Sequence, residues 1–447
     1  MIRKSVRAVF LLMLVPIGLC AQSTTSGSPR AQGPRPYGNG EKHGLSYAGD
    51  SFVRNVLIID LRAESSYDDN VLGRNTQRRG DVTFLFGPGI GFRRQGKQLT
   101  LALNYHPGFI VYRKTQGRNS LDHGLQFDAN YQLDSRLALR ARGSLLRRTG
   151  IFQPHPSAQF MPELGSPASL NETVFTPQAR QFEHNLRFDA VYQTSRRTSF
   201  ALFAGFLERD FDRKASGERN LRRTEERNTG LLYHHRLSPT STLGITYLLQ
   251  DFRFGPETRV LANSTFFSFA RELSPTVTLN VFGGPQYTRL HDRITLSFFP
   301  FTFRVPVFRA EWHWALGGDL TKRSEKIVFQ ITAQRQVTDG GGLLGLASSS
   351  FVGVSVRRRF SGRWNAIWSA GYARTSPLQP GLLESNIQSQ TAGFGLERSL
   401  RENLAARLGY DFTRQRSSAQ DLPLANLNRN RVYLGFFYRF GQIALGR

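Results

Sequence analysis

Residues 121–133 read Leu-Asp-His-Gly-Leu-Gln-Phe-Asp-Ala-Asn-Tyr-Gln-Leu. Leu121, Leu125, Phe127, Ala129, Tyr131 and Leu133, with His123, fall on one face of an extended chain. Asp122, Gly124, Gln126, Asp128, Asn130 and Gln132 fall on the other. A side-chain period of two belongs to a β-strand and not to a helix. The run is longer than the usual strand of a soluble protein and long enough for the ~9–11 residues that a tilted strand needs to cross a bilayer. Working outward, the pattern returns. Phe182, Leu186, Phe188, Ala190 and Tyr192 oppose Glu183, Asn185, Arg187, Asp189 and Gln193; Trp364, Ala366, Trp368, Ala370 and Tyr372 oppose Asn365, Ser369 and Gly371; Leu404, Ala406, Leu408, Tyr410 and Phe412 oppose Arg407, Gly409, Asp411 and Thr413.

The breaks between these runs set the strand number. Tight turns are predicted near 95–97, 134–135, 195–196, 238–240, 274–276, 323–325, 361–363 and 401–403. Connections of varied and mostly greater length are predicted at 68–79, 114–119, 149–179, 211–222, 254–258, 291–305, 338–343, 376–387 and 416–429. Eight short and nine longer connections in strict alternation imply about 18 strands, with 16–18 as the expected range. Short turns on one side and longer loops on the other are the signature of an outer-membrane barrel. The expected fold is therefore all-β: a transmembrane, antiparallel, up-and-down β-barrel over residues 55–440.

Composition agrees. Hydrophobic residues make up 39% of the 447-residue chain and the mean hydropathy is −0.36, so the body of the sequence offers no apolar run of the ~20 residues a membrane helix requires. Residues 1–21 read as a signal peptide, with Arg3, Lys4 and Arg7 before the apolar run Ala8–Leu19 and a small residue, Ala21, at the cut. A lipoprotein cut at Cys20 is disfavoured by the bulky Leu19. Loss of this segment removes the chain's one cysteine, and with it disulfides, zinc-thiolate sites and cysteine nucleophiles. Residues 22–54, rich in Ser, Gly, Pro and Gln, are expected to be a disordered periplasmic lead-in, and residues 441–447 a short periplasmic tail. The formal charge of +26 comes from 52 Arg and 7 Lys against 33 acidic residues. Such a balance ordinarily suggests nucleic acid. In a cell envelope the available anions are instead lipopolysaccharide phosphates, acidic polysaccharides and small anionic solutes, so no nucleic-acid partner is expected. Basic outer-loop residues such as Arg213, Lys214, Arg219, Arg222 and Arg223 fit contact with lipopolysaccharide and membrane lipid.

The last run, Arg431–Phe440, places Val432, Leu434, Phe436, Tyr438 and Phe440 on one face. It resembles the C-terminal strand that barrel-assembly machinery reads, which implies that role for Tyr438 and Phe440; seven residues follow Phe440 here, a departure from the usual ending. The run Ser66-Tyr67-Asp68-Asp69-Asn70-Val71 resembles the first strand and loop of the β-barrel porins found beside exopolysaccharide genes. Architecture and arginine content are also similar to those of the outer-membrane alginate exporter. These resemblances imply a pore, with periplasmic polysaccharide-export components as possible partners.

A barrel of 16–18 strands encloses an aqueous channel, so the polar faces define candidate pore-lining residues. Arg136, Arg140, Arg142 and Arg148 share a face of one strand, opposite Leu137, Leu139, Ala141 and Leu145. Arg187, Arg309, Arg407 and Arg439 join them from other strands, as do Asp128, Glu183, Asp189, Glu311 and Asp411. Two roles compete for these charges: mutual pairing across strands, and an anion filter, in which arginine favours carboxylate and phosphate through its planar fork. The loop 149–179, with Pro154, Pro156, Pro162 and Pro167, is either an inward constriction or an exposed flap.

Enzyme motifs are not found. The neighbours His234 and His235 point to opposite faces, His313 and Glu311 form a lone pair, and Gly340-Gly341-Gly342 needs only a turn. No cofactor or metal site is expected. The leading expectation is a passive porin-type channel for small, anionic solutes. The alternatives are an exporter of an acidic exopolysaccharide and a structural or adhesive barrel with a closed lumen.

Overall fold

The computed structural model describes residues 54–73, 75, 78–149, 174–175, 180–212, 221–255, 258–298, 301–378, 386–418 and 426–445. The signal peptide, the lead-in and most of the 149–179 loop lie outside the described residues. Eighteen strands follow one another: β1 (Arg54–Asp68), β2 (Asp81–Gln95), β3 (Leu99–Tyr112), β4 (Ser120–Gln132), β5 (Leu137–Thr149), β6 (Arg180–Gln193), β7 (Thr198–Asp212), β8 (Thr224–Ser238), β9 (Ser241–Phe254), β10 (Thr258–Ser274), β11 (Val277–Phe298), β12 (Phe301–Arg323), β13 (Ile327–Thr338), β14 (Ala347–Arg359), β15 (Trp364–Pro377), β16 (Ile387–Arg401), β17 (Leu404–Ser417) and β18 (Leu427–Ala444). Each pairs antiparallel with its sequence neighbours, and β1 pairs with β18 from Val56 opposite Ala444 to Asp68 opposite Arg431. The sheet is thus a closed 18-stranded barrel.

All eight tight turns of the sequence reading fall between strands. Two boundaries differ. Residues 291–305 are not a loop: β11 and β12 continue as a ladder to Phe298 opposite Phe301. The reason is local, since Ile294-Thr295-Leu296-Ser297-Phe298 and Phe301-Thr302-Phe303-Arg304-Val305 alternate and are rich in β-branched and aromatic residues. At the other end, residues 441–444 are not a tail but the end of β18, paired with Val56–Ile58 of β1.

The distribution of side chains is inverted relative to a water-soluble barrel. Large apolar residues such as Phe188, Leu202 and Phe267 are exposed on the outside, while Ser264, Gln286, Thr332, Gln334 and Gln415 are buried within. A continuous outward apolar band is what lipid would cover. Tyr438 and Phe440 belong to this band and stack edge to face with centroids 4.8 Å apart. One glycine marks where two strands approach too closely for a side chain. A Cβ on Gly284 of β11 would lie 1.8 Å from the Thr265 carbonyl oxygen of β10, beside Pro285, which has no N–H for the ladder. Gly284→Val is expected to cost at least the ~1–3 kcal/mol typical of overpacking, read as a lower temperature for loss of the heat-modifiable band in gel electrophoresis; an unchanged temperature would contradict this packing.

Candidate functional site in the lumen

Inward positions are set by parity, strand by strand. On β5, Arg140, Arg142 and Arg148 face inward, with Asp128 of β4 opposite Arg142. On β6 the inward set is Glu183, Arg187 and Asp189, with Asp189 opposite Arg140 and Arg187 opposite Arg142. Arg407 and Asp411 of β17, Arg309 and Glu311 of β12, and Arg439 of β18 also point inward. Arg136 does not belong with them. It stands before β5 in the exposed turn, where the Asp134 carboxylate accepts the main-chain N–H groups of Arg136 (2.6 Å) and Leu137 (2.8 Å). Those two donors hold the Asp134 carboxyl below its usual pKa. The chain must turn at this point, so the strand pattern does not extend to residue 136.

Pairing is extensive, but cations outnumber their carboxylates. Arg142 and Arg187 lie 3.4 Å and 2.9 Å from the single carboxylate of Asp189. The side chains of Arg142 and Arg187 are nevertheless 38% and 42% exposed, although both point into a closed barrel. Arg187 also lies over the ring of Phe203, 4.3 Å from its centroid. Arg439 lies 5.7 Å over Phe437 near the end of the barrel, and Arg407 5.6 Å over Tyr433. Arg309 pairs with Glu311, which is 3.7 Å from His313.

A second group of inward charges is buried. Arg209 of β7 bonds Glu183 at 3.0 Å and Asp339, beyond the end of β13, at 2.9 Å; Arg148 stands 3.8 Å from the same Glu183. Arg431 of β18 pairs with Glu64 of β1 and lies 3.9 Å from Asp411, and Arg429 bonds Asp68 at 2.7 Å; the partly exposed Arg62 also pairs with Glu64, at 2.8 Å. Charges this deeply buried need partners. The second set joins the first and last strands; the first ties a loop to the wall. The sequence reading passed over Arg209, Asp339, Arg62, Glu64, Arg429 and Arg431. The same parity rule identifies all but Asp339, which lies in a connection.

That connection is the main departure from an open pore. The segment 336–346, the end of β13 and the connection to β14, lies inside the barrel and is buried throughout. Leu343 and Leu344 pack with Val174, Phe211, Leu221 and Ile387, while Leu346 joins Phe252, Phe254, Val260 and Leu290. Gly340-Gly341-Gly342 therefore does more than turn the chain. Gly340 and Gly342 have φ of 62° and 83°, and a Cβ on Gly342 would meet the Phe211 ring at 2.4 Å. The described end of the 149–179 loop also lies inside. The main-chain N–H of Phe175 donates to Gln415 Oε1 of β17 at 2.8 Å, and the Gln415 amide donates back to the Phe175 carbonyl at 2.9 Å. Together these pieces form an apolar plug from β7 to β16.

No protein-family profile matches the sequence, and no curated protein does. Among solved structures the chain is similar to outer-membrane proteins of similar length. Pseudomonas aeruginosa OpdQ is 10% identical, with 88% of this chain and 98% of that chain covered and a TM-score of 0.44. P. aeruginosa OccK2, solved in complex with glucuronate, is 9% identical over 86% and 98%, with a TM-score of 0.43. Acinetobacter baumannii OccAB4 is 10% identical over 87% and 98%, with a TM-score of 0.42.

The Asp339–Arg209 pair is one of the ties that hold the plug. Asp339→Ala leaves Arg209 with one fewer carboxylate in a buried site, a loss of about 3–5 kcal/mol. Expected is a larger and noisier single-channel conductance at unchanged barrel content by circular dichroism. Conductance identical to that of the parent would show that the plug is held elsewhere.

Proposed function

We propose that this chain is an outer-membrane channel for passive passage of small anionic solutes, and not an enzyme. The observation that carries this is the hydration of the inward arginines. Two guanidinium groups share one carboxylate at Asp189, yet about two-fifths of each side chain stays open to solvent inside a closed barrel. Fixed cations along a water-filled path lower the barrier for anions and raise it for cations. A guanidinium can bind both oxygens of a carboxylate or phosphate at once.

The plug supports this reading over the alternatives. Export of an acidic exopolysaccharide with periplasmic partners requires an aperture that passes a polymer, and the inward segment 336–346 narrows the mouth. A purely structural or adhesive barrel has no use for exposed charge in its interior. A small-solute channel uses both features: the narrowing selects by size and the arginines select by sign.

Planar-bilayer conductance with ion substitution tests the proposal. The expected result is open-channel current with anions favoured over cations, and loss of most of that preference in Arg140→Ala/Arg142→Ala. Absence of current, or cation preference in the parent protein, would overturn the proposal.

A further inference from the structure

Beneath the plug lies a carboxyl group with no part in the anion path. Glu226 of β8 points inward and is 2% exposed. Its register partners are both apolar, Leu207 on β7 and Phe252 on β9. Phe252 packs in turn with Val337 and Leu346 of the inward segment 336–346. The plug is therefore the cover that keeps water from Glu226. The wall behind it stands above the apolar band. On its outward side Arg223 pairs with Glu208 and Glu225, Arg227 with Glu225, and Arg253 with Asp251. Such a charged outer surface belongs beyond the hydrocarbon, so Glu226 lies at the outer mouth.

The charges that meet between this part of the wall and the plug do not balance. They are Arg148 of β5, Glu183 of β6, Arg209 of β7, Glu226 of β8 and Asp339 of the plug. Arg209 is engaged twice, by Glu183 at 3.0 Å and by Asp339 at 2.9 Å, and Arg148 stands 3.8 Å from Glu183. Among the described residues Glu226 is the carboxyl group left without a cation. Its Oε1 accepts hydrogen bonds from the side-chain amides of Gln250 (3.0 Å) and Asn228 (3.1 Å), both neutral donors. Its Oε2 has no hydrogen-bond partner among the described residues. An ionised carboxylate shut away from water without a counter-charge is costly, and such a group takes up a proton instead. Burial accordingly pushes the Glu226 carboxyl above its usual pKa range, and the nearby Asp339 adds to the effect. Burial raises Asp339 as well, but Asp339 has Arg209 to balance it.

We propose that Glu226 is a proton-binding site that makes the plug respond to pH, docked while Glu226 is protonated and released when it ionises. The device rests on the plug and not on the anion preference. With the plug withdrawn, water reaches Glu226 and its carboxyl returns to the ordinary range. Docking is therefore fully supported below that ordinary range and loses its support as pH rises through the higher value of the docked state. The mouth is expected to narrow in acid and to widen toward alkaline pH.

Access to the plug tests this directly. Cys20 is the chain's one cysteine, so Cys20→Ser supplies a cysteine-free background. Leu344→Cys reports from the plug, where Leu344 is 7% exposed; Gly362→Cys reports from the exposed turn between β14 and β15. Labelling of the first by a polar maleimide, divided by that of the second to cancel the pH dependence of the thiol, is expected to rise about tenfold from about pH 5 to about pH 8. Conductance of the parent protein should rise over the same range. In Glu226→Gln, which keeps the shape and removes the charge, both readouts should stay at their acid level, with barrel content checked by circular dichroism. Glu225→Gln, its outward neighbour, should keep the parent's profile. Labelling independent of pH in the parent, or a pH profile retained in Glu226→Gln, would overturn the site. Protection of Leu344→Cys by millimolar calcium, with no response to pH, would mean a metal site and overturn the proton assignment. Labelling that follows pH in a protein without current would sink the channel reading and sustain this one.

Discussion

A bilayer interior has no partner to offer a main-chain N–H or C=O, so a β-sheet within it must close on itself. Here that requirement falls on β1 and β18, which are farthest apart in sequence and must meet edge to edge. Their meeting is reinforced from inside by Arg431 on Glu64 and Arg429 on Asp68. Closure also forces the inversion of faces. Lipid takes the outward apolar residues, so the alternate residues have only the lumen left. In a barrel of this size the lumen admits water as well as side chains. The arginines sit there because the alternation sends them there.

The same constraint explains how the plug is built. A segment that leaves the wall surrenders its ladder hydrogen bonds and must recover them inside. Val337 recovers one from Gln286, Phe175 recovers two from Gln415, and Asp339 brings a carboxylate to Arg209, which already faces Glu183. Apolar contact supplies the rest, through leucines too bulky for an exposed loop. Polar and apolar terms cooperate because each buried polar atom would otherwise carry its full desolvation cost.

The wall was legible in the sequence and the plug was not, for one reason. Alternation of Leu121 to Leu133, or of Arg140 and Arg142 against Leu139 and Ala141, is a local property of an extended chain; it survives whatever the rest of the molecule does. The length of β11 and β12 was legible too, in the alternation from Ile294 to Val305, but reading 291–305 as a loop set that signal aside. The inward path of 336–346 depends on Phe211, Phe252 and Ile387, more than forty residues away, and no periodicity records it. Its trace in the sequence is composition: Leu343-Leu344-Gly345-Leu346 is too apolar for an exposed connection. Arg136 failed for the converse reason, since Asp134 captures the main chain before the strand begins.

Narrowing of the pore and parting of the wall are then one event. A loop that merely bends into the lumen leaves the strands below it paired. Here the inward element includes the end of β13 itself, from Gln336 to Thr338, still paired to β14. β14 and β15 keep their pairing over the same height. The β12 edge before Leu316 is left without β13 as a partner, as β11 beyond His291 is without β10. Any substitution that returns β13 to the wall would widen the mouth and extend the β12–β13 pairing together.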